Sequence, residues 1–255
     1  MRFSVLGSGS RGNCVYIESG KSAILIDTGF SGKETAARLQ RIGRDIDDID
    51  ALFVTHEHHD HIGGVGVVSR RCRLPVYANN PTFSMGEKKL GKLHERCEFD
   101  VGETLTMQDF QVRSFSISHD AAEPVGYIIS DGKVSLGYCT DIGKVTSLVE
   151  RHLKGCNGLI LESNHDPEML KSGPYPLYLQ QRVKSSHGHL ANKDAAVFLK
   201  KLVHERLNHI VLAHLSETNN DPALALQEAR TQLSAEYYQR ILVARQHQPS
   251  AFLTL

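Results

Sequence analysis

The sequence lacks any long apolar segment and any recognisable export signal. Its apolar runs are about as long as a β-strand, and none approaches the roughly 18 residues that a membrane-spanning helix needs. The first residues, MRFSVLGSGS, do not combine a basic stretch with an apolar stretch, as a secretory signal does. We therefore predict a cytoplasmic protein with no membrane partner, whereas nothing in the sequence indicates an oligomeric state.

A disulfide framework and a zinc ribbon are excluded as well. The cysteines are odd in number, irregularly spaced and without a CxxC pair; they are Cys14, Cys72, Cys97, Cys139 and Cys156. This pattern predicts reduced, mostly buried thiols, as is usual in the cytosol. No linker or low-complexity segment interrupts the chain, and 40% hydrophobic content is ordinary for 255 residues of compact protein. We therefore expect one domain over residues 1–255.

The chain has no net charge, since 29 Lys and Arg side chains balance 29 Asp and Glu side chains. No global field therefore draws it to nucleic acid. Two stretches are locally basic: residues 70–96 carry seven basic and two acidic side chains, and residues 165–206 carry seven and four. Such stretches are either solvated helix faces or a rim that attracts phosphate groups.

Strand and helix periodicities alternate along the chain. Apolar or alternating runs predict strands at residues 3–6, 14–17, 23–26, 51–54, 75–78, 104–118 (broken near 109), 158–161, 209–213 and 241–244. The Asp131-Gly132 pair in VGYIISDGKVSLGYCT predicts the turn of a further hairpin. Helical spacing is present at residues 32–42, 64–71, 144–153, 175–184, 192–203 and 223–233. This pattern predicts an α/β fold of two packed mixed sheets with helices on both outer faces, in which functional residues lie where strands end.

A dense cluster of metal-ligand residues, VTHEHHDHIGG at residues 54–64, follows one of these strands. Since residues two apart in an extended segment point the same way, His56 and His58 can converge on one ion. Asp60 and His61 follow as the chain turns into a helix, and they can reach a second ion. Imidazole and carboxylate ligands suit zinc, while manganese and iron are also compatible. The HxHxDH spacing therefore predicts a site for two divalent metal ions.

Three further candidate ligands have the same context as His56, directly after an apolar strand. His119 follows FSIS, Asp141 follows LGYCT, and His214 follows HIVLA. A single residue of this kind is usually a cap or a turn residue. Three of them beside an HxHxDH motif indicate that several strand ends complete one site.

With these residues the sequence resembles the metallo-β-lactamase-fold hydrolase superfamily, whose domain is a four-layer αββα sandwich. The resemblance extends from LIDTG to about residue 215. It implies two ligand sets bridged by Asp141: His56, His58 and His119 for one metal, and Asp60, His61 and His214 for the other. It also implies that Asp27 orients the histidine loop from outside the ligand shell, and that Glu57 and His59 point away from the ions.

A dinuclear centre of this kind makes a protein nucleophile unnecessary. Two cations roughly 3.5–4 Å apart can share a hydroxide formed at neutral pH and polarise the scissile group. The sequence accordingly has no GxSxG motif, and Cys139 fits a small buried hydrophobe better than a nucleophile. Secreted β-lactamases are disfavoured, because Asp141 stands where those enzymes often place a cysteine.

Four other stretches resemble the YycJ (WalJ) branch of the superfamily: LGSGSRGNC, LESNHDPEML, GPYPLYLQQRV and SSHGHLANKDAA. This resemblance implies a 5′-to-3′ exonuclease that acts on DNA and is linked in some bacteria to mismatch repair. We expect His189 to act in catalysis with Asp60. The candidate substrate contacts are Ser10, Asn13, Asn164, His165, His187, His189 and Asn192.

The residues of these stretches also allow simpler interpretations. His189, Asn192 and free backbone N–H groups at a helix start can cradle a phosphate, but Asn192 also fits the N-cap of the helix over residues 192–203. For Asn164 and His165 an ordinary polar turn is the alternative to a substrate contact. Tyr175 and Tyr178 can stack on bases, although core packing is favoured.

Four functions fit this site, because a fold does not select among reactions. The favoured one is a dinuclear metal-dependent phosphodiester hydrolase that degrades DNA from a 5′ end with a metal-activated hydroxide. The alternatives are a small-nucleotide phosphodiesterase, a thioester or lactone hydrolase of the same fold, and a non-catalytic metal-binding module. The last is disfavoured because no ligand of the set is missing.

Overall fold

The computed structural model describes all 255 residues and contains fourteen strands and nine α-helices. The strands are β1 (Arg2–Gly7), β2 (Cys14–Ser19), β3 (Ser22–Ile26), β4 (Ala51–Phe53), β5 (Pro75–Ala78), β6 (Glu95–Glu98), β7 (Thr104–Met107), β8 (Phe110–Ser116), β9 (Val125–Ser130), β10 (Ser135–Cys139), β11 (Gly158–Glu162), β12 (His209–Ala213), β13 (Ile241–Val243) and β14 (Leu253–Thr254). The helices are α1 (Gly32–Arg41), α2 (His59–Ile62), α3 (Val65–Cys72), α4 (Asn80–Leu90), α5 (Ser147–Leu153), α6 (Pro167–Ser172), α7 (Leu177–Lys184), α8 (Asn192–Leu202) and α9 (Pro222–Gln232). No helix combines the length and the apolar character that crossing a membrane requires.

The strands form two sheets of seven strands each. The first sheet has the order β14-β1-β2-β3-β4-β5-β6; it is antiparallel as far as β3 and parallel from β3 to β6. The second has the order β13-β12-β11-β10-β9-β8-β7; it is antiparallel from β7 to β10 and parallel from β10 to β13. The prediction of two mixed sheets is therefore confirmed.

Three apolar clusters hold four layers together. The central cluster lies between the sheets, where Phe53 of the first packs edge-to-face on Tyr127 of the second at a ring distance of 5.9 Å. A second cluster packs α5, α8 and α9 on the second sheet, and a third packs α1, α3 and α4 on the first. The expected αββα sandwich, with helices on both outer faces, is confirmed.

Strands near the middle of each sheet are covered on both faces. β3 reads SAILI and is buried throughout, with Ile24 and Ile26 in the central cluster and Leu25 on the helix side. β11 reads GLILE and is also buried throughout, with Ile160 facing the other sheet. Continuous apolar runs of this kind are typical of strands that lie between two packed layers.

Five elements lie where the sequence periodicity predicts none: α2, α4, β6, α6 and β14. α4 begins at Asn80 and has a proline in its first turn. Proline is tolerated there because the N–H groups of the first turn make no hydrogen bond within the helix. Its N-cap is Asn79, whose side chain accepts a hydrogen bond from the Thr82 N–H at 2.9 Å. β6 reads ERCE, is mostly exposed and pairs only with β5 at the sheet edge, so it carries no apolar alternation.

The carboxyl ends of the central strands meet at one edge of the sandwich. Asp27 directly follows β3, Asp141 lies just after β10, and His214 directly follows β12. All three adopt left-handed backbone conformations, with φ of 57°, 57° and 55°. Residues other than glycine adopt this conformation rarely; Asn, Asp and His do so most often, and strained positions of this kind cluster at active sites. The chain thus turns sharply at each strand end that carries a ligand-type side chain.

Candidate metal centre

The structure brings His56, His58 and His119 together at this edge. His58 Nδ1 lies 3.1 Å from His56 Nε2 and 3.3 Å from His119 Nε2. His56 and His119 are buried, while His58 is half-buried. Three imidazole nitrogens that converge in this way form a ligand set for one cation. His56 and His58 lie in the connection between β4 and α2, where the chain bends at Thr55 and Glu57, so their convergence does not come from the straight extended segment that the sequence spacing predicted.

A second set joins Asp60 and His61 of α2 to His214. Asp60 Oδ2 lies 3.5 Å from His61 Nε2 and 3.5 Å from His214 Nε2. His61 and His214 are buried, and the Asp60 side chain is 20% exposed. One carboxylate and two imidazoles suit a second borderline cation.

Asp141 lies between the two sets. Its Oδ2 is 3.2 Å from His61 Nε2, and its Oδ1 is 3.4 Å from His214 Nε2 and 3.9 Å from His119 Nε2. Oδ2 is buried and, apart from its ion-pair contact with His61, has no hydrogen-bond partner. Because burying a carboxylate oxygen without a hydrogen bond is costly, this atom fits a cation placed between the two sets. The donor atoms of every set lie within 4.8 Å of one another, so the residues present fit two divalent ions.

The ring nitrogens that face away from the centre are held by hydrogen bonds. His61 Nδ1 lies 2.7 Å from Asp27 Oδ2, and His119 Nδ1 lies 3.1 Å from the Gly188 carbonyl. The Asp27 carboxylate also accepts a hydrogen bond from the Thr55 N–H at 2.9 Å. Partners of this kind fix the tautomer and the ring orientation of metal-binding histidines. Asp27 therefore occupies the orienting position that the resemblance implies.

Glu162, the last residue of β11, is a functional residue that the sequence analysis missed. Its side chain is fully buried, and Oε1 accepts hydrogen bonds from His189 Nδ1 and His214 Nδ1, both at 2.9 Å. The Leu190 N–H donates to Oε2 at 2.9 Å. A charged residue that ends a buried apolar run, as Glu162 ends GLILE, is the sequence signal that indicates it.

Charge is concentrated around this buried network. Burial disfavours charged His214, yet Asp141, Asp60 and Glu162 outweigh burial and raise its pKa to about 10. Burial likewise disfavours the Glu162 carboxylate, but His189 and His214 hold its pKa at about 2. The carboxylates therefore favour a proton on His214, whereas burial lowers the pKa of His56 and His119. A cation that binds at His214 displaces its proton, as is usual for metal sites.

The glycine-rich loop after β1 and the loop after β3 support Asp60 from behind. Asn13 is buried; its backbone N–H donates to the Asp60 carbonyl at 2.7 Å, and its side-chain amide donates to Asp60 Oδ2 at 3.1 Å. Gly29 lies so close that a Cβ atom there would come within 1.8 Å of the Asp60 carbonyl oxygen. These contacts fix the backbone on which the second ligand set is built.

A cavity of about 190 Å³ borders the centre at His189 and His214. Among the expected substrate contacts, Ser10, Asn164 and His189 line it. The rest of its wall consists of Asp120, Tyr175, Leu179, Arg182, Val183, Gly188, Leu215, Ser216 and Asn219. The basic residues at 70–96 do not line this cavity, and Arg182 is the one basic residue of the stretch 165–206 that does.

Four expected substrate contacts lie elsewhere. Asn13 is 1% exposed and supports Asp60, so it does not reach a substrate. Asn192 is 2% exposed and accepts a hydrogen bond from the Ser163 hydroxyl at 2.7 Å. The N-cap of α8 is Ala191, so the N-cap interpretation of Asn192 is also wrong. His165 is buried outside the cavity, and His187 is exposed outside it.

The other side chains of the HxHxDH motif are expected to lie away from the metal ions, and the two tyrosines are expected to pack in the core. Glu57 points away from the centre, as the resemblance implies, and accepts a hydrogen bond from the Ala122 N–H at 2.8 Å. His59 is the first residue of α2 and belongs to neither ligand set. Core packing of Tyr178 is wrong, because this side chain is 73% exposed. Tyr175 lies in the cavity wall.

Comparison with known proteins agrees with this geometry. The family model described as the beta-lactamase superfamily domain matches residues 22–214. The chain is 42% identical over 227 residues to exodeoxyribonuclease YycJ of Bacillus anthracis, covering 88% of this chain and 86% of the relative. It is 39% identical over 237 residues to exodeoxyribonuclease WalJ of Streptococcus pneumoniae, and the match covers 91% of this chain and 88% of the relative.

The fold has close structural counterparts. The metallo-β-lactamase fold protein YhfI of Bacillus subtilis superposes with a TM-score of 0.77 at 19% identity, over 98% of each chain. The family match spans the strand ends that carry both ligand sets, from Asp27 to His214. The chain therefore belongs to the metallo-β-lactamase-fold superfamily and is a metal-dependent hydrolase.

Proposed function

We propose that the protein is a nuclease that hydrolyses phosphodiester bonds of DNA, working as an exonuclease from a 5′ end. Two relatives named exodeoxyribonucleases support this proposal, since each is about 40% identical over most of both chains. The observation that carries it is the convergence of two ligand sets on Asp141 beside a cavity that contains His189. We assign this activity to a single domain of residues 1–255.

The two ligand sets are proposed to hold two divalent cations, zinc or manganese, with iron as a third candidate. His56, His58 and His119 would hold one ion, Asp60, His61 and His214 the other, and Asp141 both. When bound, such ions lower the pKa of a coordinated water and neutralise charge that develops on a phosphoryl group. The buried Asp141 Oδ2, which accepts no hydrogen bond, is the atom that supports a bridging role.

Two side chains at the cavity are proposed to act directly in the reaction. Asp60 is one fifth exposed and is held by Asn13, so its carboxylate can orient the attacking water. His189 is 22% exposed and uses Nδ1 to contact Glu162. The Glu162 carboxylate outweighs burial and raises the pKa of His189, which favours the protonated ring. His189 can therefore hold a proton on Nε2 for the leaving oxygen.

A cleavage assay with three substrates tests this function. Purified protein with Mn²⁺ or Zn²⁺ is offered 5′-phosphorylated duplex DNA, bis-p-nitrophenyl phosphate and a thioester. We expect DNA to shorten from the 5′ end and the small diester to be cleaved slowly. Asp60→Asn should lose at least a hundredfold in activity, whereas Asp194→Asn, at an exposed site in α8, should match the wild type.

Each other outcome contradicts a defined part of the proposal. DNA shortening that persists in Asp60→Asn would identify a contaminant. Cleavage of the small diester without action on DNA would favour a small-nucleotide phosphodiesterase. If the thioester alone reacts, the phosphodiester assignment is wrong. Shortening from the 3′ end would support the assignment as a nuclease but contradict the proposed 5′-to-3′ direction.

A further inference from the structure

The helix α7 differs from the other helices on the second sheet because none of its residues is buried. Its side chains Leu177 and Tyr178 are 69% and 73% exposed. A surface helix normally buries an apolar stripe against the core. Of the apolar side chains of α7, only Leu179 and Val183 are half-buried, and Leu177 and Tyr178 point to the outside, so packing does not explain these two side chains.

Polar contacts hold α7 in place. Arg182 forms an ion pair with Asp120, with Nε and Nη2 each 2.6 Å from Oδ2. Just beyond the helix, the Ser118 hydroxyl donates to the Ser186 carbonyl at 2.7 Å. These contacts attach the segment to the loop that carries the candidate ligand His119. These polar contacts position α7 relative to the metal centre, while Leu177 and Tyr178 take no part in holding it.

The same segment forms one wall of the cavity. Tyr175, Leu179 and Arg182 face a space whose other wall contains His189 and His214. Residues 175–188 include two basic side chains, Arg182 and Lys184, and no acidic one. Tyr178 lies outside this cavity, on the same helix as the lining residues Leu179 and Arg182. An exposed aromatic ring on a helix that carries basic side chains and borders the candidate centre matches the chemistry of a nucleic acid strand, which offers flat bases and anionic phosphates.

We propose that α7 is a stacking platform on which Tyr178, flanked by Leu177, binds the face of an unpaired base at the strand end. This inference rests on the proposed nuclease function and identifies the part of the substrate that α7 contacts. Stacking is independent of sequence because every base has a π-face. A platform for unpaired bases therefore favours a single-stranded 5′ tail over a blunt duplex end.

Binding of labelled DNA by the full chain with Mn²⁺ tests the platform. Fluorescence anisotropy is measured for a duplex with a short single-stranded 5′ tail and for its blunt counterpart, both with phosphorothioate linkages so that they resist cleavage. Tyr178→Ala should raise the Kd for the tailed duplex about tenfold and leave the blunt duplex nearly unchanged. Tyr178→Phe keeps the ring and should bind like the wild type. Met85→Ala, which removes an equally exposed side chain from α4, is the matched control.

The outcomes separate the platform from the proposed function. An unchanged Kd for Tyr178→Ala, an equal loss for both duplexes, or no measurable affinity of the wild type for the tailed duplex would each overturn the platform. Conversion of a dimer to a monomer by Tyr178→Ala would assign this face to contact between copies of the chain. A ring-dependent preference for the tailed duplex, combined with no cleavage of ordinary DNA, would support the platform and refute the exonuclease.

Discussion

At the scale of single residues, Glu162 connects the two parts of the candidate site. One of its oxygens accepts hydrogen bonds from both His189, the proposed proton donor, and His214, a candidate ligand. The carboxylate is fully buried at the end of β11 and is satisfied by backbone N–H groups as well. Its charge matters because it favours protonated His189 and fixes the His214 ring with Nε2 toward the centre.

Glu162→Gln should weaken the site while preserving most of its shape. The amide removes the negative charge, and if its oxygen keeps both histidine contacts, its NH2 group faces the Ile142 and Leu190 N–H donors and cannot accept from them. We expect metal affinity to fall about 10- to 100-fold, as with other groups that orient metal-bound histidines. Metal titration against a chelating dye measures this change. Glu150→Gln, an exposed residue of α5 paired with Lys201, is the control; equal affinities for the two variants would rule out the orienting role of Glu162.

At the scale of elements, the site depends on close contact between the loops that follow the strands. The loop after β3 touches the α2 backbone, where the Thr28 N–H donates to the His61 carbonyl at 2.9 Å. Gly29 in this loop leaves no room for a side chain against the Asp60 carbonyl. The position of α2, which carries Asp60 and His61, is therefore set by these backbone contacts together with the packing of Ile62 in the apolar cluster under the helices.

Gly29→Ala should destabilise the protein and impair the second ligand set together. A Cβ at this position would meet a main-chain oxygen, which can move only by displacing α2. We expect a loss of about 1–3 kcal/mol in the free energy of unfolding, typical of overpacking. Urea denaturation and metal content measure the two effects. Gly43→Ala is the control: its new Cβ meets open space at a backbone φ of 69°, so it introduces backbone strain without a steric clash. Full metal content in Gly29→Ala would contradict the expected displacement of α2.

At the scale of the whole molecule, both sheets contribute to one centre. The first sheet supplies Asp27 and the HxHxDH motif, and the second supplies His119, Asp141 and His214. Metal ions held by both groups would cross-link the two halves of the sandwich at the edge where their strands end. Because such ions bind the folded chain and not the unfolded chain, they stabilise the fold by linkage.

Removal of metal should therefore lower the melting temperature. With metal present at a thousand times its Kd, linkage stabilises the folded state by about 4 kcal/mol. For a chain of this size, that corresponds to a Tm change of roughly 8 °C or more. Differential scanning calorimetry before and after chelation, and again after Mn²⁺ or Zn²⁺ is restored, measures it. Removal of metal should lower the Tm of Asp60→Asn by less than it lowers the Tm of the wild type. A wild-type Tm that does not depend on metal would argue against a metal centre that links the sheets.

Local chemistry explains why much of the fold and most candidate ligands could be predicted. Apolar runs such as GLILE and HIVLA indicate buried strands, and a His or Asp directly after such a run indicates a strand end. The edge strand β6 was harder to predict, because it is mostly exposed and carries no apolar alternation. Asn13 and Asn192 were misassigned because a polar residue looks the same in sequence whether it contacts substrate or supports buried backbone.

The sequence by itself determined the two-sheet α/β fold and the placement of His119, Asp141 and His214 after apolar strands, because apolar runs and the residues that end them are local features of the chain. Only the tertiary structure decided which distant groups complete the site. The contacts of Glu162 with His189 and His214 span 27 and 52 positions, and Asn13 supports Asp60 across 47. The exposure of Tyr178 was likewise decided by the polar anchors of α7. These contacts depend on how the sheets and loops pack together, which no local pattern of residues encodes.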